Sequence, residues 1–264
     1  MTSSYYSTSY AAGHFRYSSS SYAGNELKNN SFTSKGYALY LASTTYSYIS
    51  SDYNNIWSSR TSGNIIYANA SYSSLAAYSA ARSLDGNSKS ADPLFVNMGI
   101  PTMLSTVLDS AGTALASVTD DINGNTRRSP GPSIGAEEYT VEANDCGIVS
   151  VDQPKVACSS NTAIVTIKNF GSDDLKTATI QWTVNGVSQS ASGFVGNLAL
   201  GQSAQVNLGS FTTTGSGPFV IRAWTILPNA KVDPKPQNDT ASTSINLGMS
   251  GTYTVGGTAA DYAT

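Results

Sequence analysis

The stretch Ala178-Thr179-Ile180-Gln181-Trp182-Thr183-Val184, followed by Asn185-Gly186, sets the fold of half of this chain. Side chains on a β-strand alternate between its two faces, so Ala178, Ile180, Trp182 and Val184 share one face and Thr179, Gln181 and Thr183 the other. That pattern fits an antiparallel strand with one side on a core and one in water. Asn-Gly readily takes the positive φ angles of a two-residue hairpin turn, so the chain is expected to reverse at Asn185-Gly186. Trp182, on the apolar face, is the expected central packing residue.

The same alternation recurs in Ala163-Val165-Ile167, Ala204-Val206-Leu208, Phe219-Ile221-Ala223 and Thr243-Ile245-Leu247. With Ile148 to Val151 in front and a strand near Gly193 to Val195, about seven strands fall within ~100 residues, the density of an immunoglobulin-like β-sandwich. Four segments carry a more specific likeness: Val165-Thr-Ile167-Lys-Asn169-Phe-Gly171, Trp182-Thr-Val184-Asn-Gly186-Val187, Leu200-Gly201-Gln202-Ser203 and Asn238-Asp239-Thr240. Residues 144–248 resemble the CARDB domain, a bacterial cell-adhesion-related module, over essentially its whole length. The resemblance implies a repeated spacer or adhesive unit of an exported multidomain protein. Trp224 shares its strand face with Arg222, which leaves two readings: contact with a glycan, or packing against a neighbouring domain. Asp233, Asn238 and Asp239 lie in a Pro-rich loop, where turn formation accounts for them without a metal.

Residues 1–141 read differently. Leu27-Lys-Asn29-Asn30-Ser31-Phe32 aligns with Asp52-Tyr-Asn54-Asn55-Ile56-Trp57 at an offset of 25 residues, a period that fits stacked coils. Behind each Asn-Asn pair comes a Gly (Gly36, Gly63) and an alternating stretch, Tyr37-Ala-Leu39-Tyr-Leu41 and Ile65-Ile-Tyr67-Ala-Asn69. Stacked Asn side chains would satisfy turn backbone groups that burial would otherwise leave unpaired. Ser73-Ser74 in front of Leu75-Ala-Ala77-Tyr78-Ser-Ala-Ala81-Arg82 predicts a short capped helix ending before Asp85-Gly86.

Beyond it lie Ala91-Asp92-Pro93-Leu94-Phe95-Val96, Ser105-Thr-Val-Leu-Asp109-Ser-Ala111-Gly112, Asp121-Ile-Asn123-Gly124-Asn125-Thr-Arg127 and Ile134-Gly135-Ala136-Glu137-Glu138-Tyr139. This order resembles the C-terminal end of right-handed parallel β-helix (pectate-lyase-like) domains in large secreted bacterial proteins, with a final Ile-Gly-Ala-x-Glu strand. The resemblance covers residues 25–139. It implies the terminal rungs of a solenoid common to polysaccharide lyases, glycoside hydrolases and adhesins, and it fixes no activity.

Few residues are candidates for chemistry. Hydrolases need paired carboxylates, whereas Asp52, Asp92, Asp109, Asp120 and Asp121 sit mostly in turns, and the single histidine, His14, has no evident partner. No catalytic residue and no cofactor is assigned. Asp121-x-Asn123-x-Asn125 has the look of a partial calcium loop, but the bidentate Glu is missing because position 132 is Pro. A tight turn at Asn123-Gly124, with Asp120 or Asp121 paired to Arg127 or Arg128, accounts for the same residues. Tyr5, Tyr6, Tyr10, Tyr17 and Tyr22 read either as rings that stack on sugar or protein or as the cut edge of a solenoid.

Only 12% of the 264 residues are charged, the formal net charge is −3, and no Lys/Arg cluster is present, which disfavours a nucleic-acid partner. No apolar run approaches the roughly 20 residues that span a bilayer, and Met1-Thr2-Ser3-Ser4-Tyr5 is no signal peptide. The expected location is extracellular or cell-surface, with the export signal upstream and both ends read as fragment boundaries. Cys146 and Cys158 are expected to form a local disulfide contributing about 3 kcal/mol, the alternative being two free thiols. Residues 249–264, Tyr253 and Gly256-Gly257 among them, resemble the start of a further β-helix module.

The leading expectation is a noncatalytic structural or adhesive segment that binds extracellular polysaccharide or surface protein. The rival is a fragment of a polysaccharide lyase or glycoside hydrolase whose catalytic rungs precede residue 1.

Overall fold

A computed structural model describes residues 12–16, 24–42, 47–97, 100–215 and 217–248. The chain divides between Val141 and Glu142 into two units, both built mainly of β-strands.

Among the described residues, the first unit begins with seven short strands: β1 (Gly13–Arg16), β2 (Asn25–Lys28), β3 (Ser31–Ser34), β4 (Leu39–Ala42), β5 (Ile49–Asp52), β6 (Asn55–Ser58) and β7 (Ile66–Ala68). All their mutual pairings are parallel: β1 and β7 flank β4, β2 lies on β5, and β3 lies on β6. Asn25 sits beside Ile49 and Ser31 beside Asn55, so the chain returns to the same line after 24 residues. The sequence alignment, offset by 25, is therefore out of register by one. A one-residue slip turns each side chain to the opposite face. At 24 residues Phe32 faces Ile56, and both are buried; at 25 Phe32 would face the half-exposed Trp57. Leu39, Leu41, Ile56, Ile66, Ala68 and Tyr78 form the core of this part.

A two-residue strand β8 (Ser71–Tyr72) reverses onto β7. The helix predicted behind Ser73-Ser74 is α1 (Leu75–Arg82), in which the Ser74 side chain accepts a hydrogen bond from the Ala77 amide. It buries Tyr78 and stops where Ser83 turns left-handed at φ 56°. After β9 (Phe95–Asn97) and β10 (Ile100–Met103), an antiparallel pair, a second small core gathers Met103, Leu108, Ile134 and Tyr139. The expected strand at Ile134–Tyr139 does not form. That segment is held by isolated bonds, Ile134 N–H to the Leu108 carbonyl and Gly135 N–H to the Asn29 carbonyl, and by arginine side chains described below.

The second unit is antiparallel. Its strands are β11 (Cys146–Gln153), β12 (Ser160–Asn169), β13 (Leu175–Val184), β14 (Val187–Ser188), β15 (Ser192–Leu198), β16 (Ser203–Thr212), β17 (Phe219–Ile226) and β18 (Thr240–Ile245). One sheet runs β11-β12-β16; the other runs β14-β13-β17-β18, with β15 also on β13. Both sheets contribute to one core, which includes Ile148, Val165, Ile167, Ile180, Trp182, Phe211, Ile221 and Ala223.

β13 has the predicted alternation. Trp182 is 3% exposed, donates its indole N–H to the Ser190 carbonyl at 2.9 Å, and meets Phe211 edge-on at 5.7 Å. Asn185 (φ 48°) and Gly186 (φ 79°) make the expected turn into β14. The unit's first residues are bonded at one end, Ser172 N–H to the Glu142 carbonyl and Asp173 N–H to the Ala143 carbonyl. Its last described residues are bonded to Ala157, beyond the far end of β11, through Ala157 N–H to the Asn246 carbonyl and Gly248 N–H to the Ala157 carbonyl.

Candidate functional site

Alternation along β17 places Val220, Arg222, Trp224 and Ile226 on the solvent side of the larger sheet of the second unit. Registration puts Gln181 and Thr240 on either side of Trp224, and Thr183 and Ser242 on either side of Arg222. The half-buried indole donates to the Gln181 side-chain oxygen at 3.1 Å. The Arg222 guanidinium lies 5.4 Å from the indole centroid, a cation–π contact. The two residues singled out in the sequence are thus brought together, with hydroxyls and an amide around them. The row offers a flat aromatic patch with exposed hydrogen-bond donors, the chemistry that suits a sugar ring or a polar protein surface.

The partial calcium loop is a closed turn. Asp121 is buried, and one carboxylate oxygen accepts from Asn123 N–H (2.8 Å) and Asn125 N–H (2.9 Å). The other accepts from the Asn125 amide (3.2 Å) and Glu138 N–H (2.9 Å). Desolvation works to raise its pKa, but these four donors prevail and hold the carboxyl down at about 2. Asn123 turns its amide toward Glu137 at 2.8 Å, away from Asp121.

The expected pairing of Asp120 or Asp121 with Arg127 or Arg128 is not found. Arg128 bonds to Asp109, Glu138, Ser110, Ser133 and the Tyr139 carbonyl. Arg127 bonds to the Ser133 and Gly135 carbonyls at 3.0 and 2.7 Å and lies 4.0 Å from Glu138. Two guanidiniums thus supply donors to a segment that has no sheet ladder, which is why they reach across to residues 133–139 and leave the nearer aspartates.

Cys146 and Cys158 are free thiols, the first buried and the second exposed, so the expected bridge is absent. Cys146 pairs with Asn169 at one end of the β11–β12 hairpin, whereas Cys158 precedes β12 at the other end. A strand of eight residues separates the two levels, roughly 25 Å at the rise of a β-strand, against Cα separations up to about 7 Å in disulfides. Twelve residues are a short way in sequence but a long way in space when most of them are extended.

His14 is exposed, its ring 4.9 Å from Tyr40 in edge geometry, and Tyr40 stacks on Tyr67 at 4.4 Å. The parallel register brings these rings into a column, where Tyr40 and Tyr67 occupy each other's faces. Tyr5, Tyr6, Tyr10, Tyr17, Tyr22 and the further module at 249–264 lie outside the described residues.

Three residues that the sequence assigned to a Pro-rich turn, Asp233, Asn238 and Asp239, are joined by a fourth that it did not single out, Asp145. Asp145, Asp233, Asn238 and Asp239 gather at the end of the second unit where β11 begins. Asp233 accepts from Cys146 N–H (3.0 Å) and Lys235 N–H (2.9 Å), and Asn238 donates its amide to Asp145 (2.8 Å). The Asp239 carbonyl accepts from Ile148 N–H and Thr225 N–H, which fixes this residue against β11 and β17. The Asn238 amide oxygen and one Asp239 carboxylate oxygen are buried without a hydrogen-bond partner.

Burial, reinforced by the charges of Asp233 and Asp145, pushes the Asp239 carboxyl up to about 7. Burial likewise pushes Asp145 up to about 6, against the Asn238 hydrogen bond and the Lys235 charge, with Asp233 and Glu142 adding to the rise. The Cys146 thiol is raised to about 12, chiefly by burial, and stays protonated. Turn formation explains Asp233 as expected, but not Asp239, which is 7% exposed. The pairing Asn238-Asp239 immediately before a strand was the available signal; that the strand start would be buried was not visible.

Comparison with protein families and with curated proteins finds no match. Among solved structures, the chain is similar to the CARDB domain of a Pyrococcus furiosus protein, solved in complex with di-metal ions. Identity is 19% over 41% of this chain and 97% of that one, with a TM-score of 0.35. A domain described as part of a cell surface protein from Methanosarcina acetivorans is 20% identical over 40% of this chain and 92% of its own, with a TM-score of 0.34. A β-glucosidase from Listeria innocua is 14% identical over 46% of this chain but 18% of its own, with a TM-score of 0.25. Likeness at this level carries no information about ligands.

Proposed function

We propose that the chain is a noncatalytic structural or adhesive segment of an exported, modular cell-surface protein. In this reading the first unit is the terminal rungs of a right-handed parallel β-helix, and the second is an immunoglobulin-like sandwich of the CARDB kind. The 24-residue return of parallel strands β2 and β3 onto β5 and β6 supports the first assignment. Two antiparallel sheets around one core support the second. The observation that carries the functional reading is where the ionisable side chains are spent. Asp109, Asp121, Arg127, Arg128 and Glu138 are bonded to backbone or to one another in holding the first unit's last segment, an arrangement that serves folding rather than turnover.

The outer row of β17, centred on Trp224 and Arg222, is the face proposed to contact extracellular polysaccharide or surface protein. An array of bacterial and plant glycans, probed with the whole chain and with Trp224→Ala, tests it. Binding by the wild type that falls at least tenfold in Trp224→Ala supports the assignment. Equal binding by both refutes the face. Release of reducing ends or unsaturated uronides from any of these polysaccharides by the wild type would refute the noncatalytic reading.

A further inference from the structure

We propose that the outer face of the second unit's larger sheet recognises a carboxylate-bearing polysaccharide, a polymer of uronate sugars, with Arg222 holding the carboxylate. This rests on the reading of the Trp224–Arg222 row as a contact face and adds the chemical class of the ligand. Arg222 is exposed, and among the described residues no carboxylate pairs with it. Arg60, Arg82, Arg127 and Arg128, by contrast, all donate to carbonyls or carboxylates. In a chain with a formal net charge of −3, an arginine kept clear of every acid stands apart.

The smaller sheet shows how this module holds a carboxylate on a strand face. There Asp152 accepts from the Ser150 hydroxyl at 2.6 Å, the Thr166 hydroxyl at 2.5 Å and the Gln205 amide at 3.1 Å. Arg222 stands among donors of the same kind. Thr183 and Ser242 lie opposite it in register, and neither hydroxyl is hydrogen-bonded among the described residues. Opposed side chains on neighbouring strands are about 4.5–5.5 Å apart at Cβ, so both hydroxyls reach a group bound at the guanidinium. Gln181 turns its side-chain oxygen to the Trp224 indole, which leaves its amide nitrogen as a further donor. The indole itself, 5.4 Å from the Arg222 guanidinium, braces the charge and leaves the N–H donors at its edge for a bidentate carboxylate. Trp224 is thus a positioning residue. Hydroxyls and an amide both donate and accept, which matches the hydroxyls of a sugar. A flat row of exposed polar groups gives an acidic protein partner no pocket for the buried anchors that dominate protein interfaces.

The whole chain is titrated calorimetrically with tetragalacturonate and tetramannuronate, each as the sodium salt and as the full methyl ester, and with tetraglutamate. The salts should bind at least about tenfold more tightly than their esters, the lower end of what a charge-assisted hydrogen bond contributes. Their affinity should fall as sodium chloride rises from about 0.01 to 0.15 M and the Debye length shrinks from about 30 to 8 Å. Arg222→Gln, a change at an exposed position, should fold with an unchanged Tm and lose the preference for salt over ester. Trp224→Ala should narrow the same preference although the charge stays in place. Equal binding of salt and ester would overturn the inference while leaving the face as a glycan site. A preference that persists in Arg222→Gln would also overturn it, because the carboxylate would then be held elsewhere. Tighter binding of tetraglutamate than of either sugar acid would give the face to an acidic peptide instead. Binding of none of these probes would overturn the inference as well, and the glycan array then decides the face independently.

Discussion

Replacing Asn54 by Ala should strongly destabilise the first unit's stack while leaving the second unit intact. Asn54 is fully buried. Its side-chain oxygen accepts from Asn30 N–H and from the Asn30 amide, each at 3.0 Å; its nitrogen donates to the Leu27 carbonyl at 2.8 Å, to Ser51 at 3.2 Å and to Asp85 at 3.1 Å. Truncation strips the Asn30 N–H of its acceptor and the Leu27 carbonyl of a donor. At about 1–3 kcal/mol for each buried group left unsatisfied, the cost is about 2–6 kcal/mol, a large part of the 5–15 kcal/mol that typically holds a domain. Asn30→Ala removes a half-buried side chain from the other end of the same bond and should cost about 1 kcal/mol. Native-state hydrogen exchange reads the two units separately, through peptides covering 25–58 and 160–184. A loss below about 1 kcal/mol in the first window, or equal losses in Asn54→Ala and Asn30→Ala, would refute the claim that this asparagine carries the backbone groups of its turn.

Two further outcomes follow from geometry already described. Alkylation of the native protein without reductant should modify Cys158 rapidly and Cys146 only after denaturant, because one thiol is exposed and the other is buried and protonated; a mass loss of two hydrogens, signifying a bridge, would contradict the structure. The Asp121 carboxyl is held below its unfolded value, so its contribution to stability is present above about pH 3.8 and is lost as pH falls toward about 2. Acid titration followed by exchange in peptides 119–139 should show this segment loosening in that window, and Asp121→Asn should flatten the dependence; an unchanged profile would refute the four-donor account.

The alternation of the second unit was legible because each strand there has one wet and one dry face. Trp182, the Asn185-Gly186 turn and the row holding Arg222 and Trp224 all followed from counting by two. The first unit was harder. Its coil period was visible in the Asn-Asn pairs, but the pairs are adjacent residues, so an alignment can match Asn29 or Asn30 to Asn54 equally well. Only the burial of Phe32 and Ile56 on one line resolves the slip. The strand at residues 134–139 was expected from the resemblance to β-helix ends, yet besides two isolated backbone bonds the segment is held by Arg127 and Arg128, side chains whose reach is not encoded in any periodicity. That Asp145 joins Asp233, Asn238 and Asp239 was missed for a related reason: Asp145 lies 94 positions from Asp239, and the other three read as ordinary residues of a Pro-rich turn.

The second unit is tied down at opposite poles, with Glu142 and Ala143 bonded at one and Asn246 and Gly248 at the other. A chain pulled by its ends therefore loads this unit along its strands rather than peeling one strand from an edge. The backbone bonds of β11 and β18 would be sheared together, which resists far more force than opening them one at a time. β11, which runs between the poles, alone spans roughly 25 Å. Each such unit inserted in a longer chain would add that length as stiff reach.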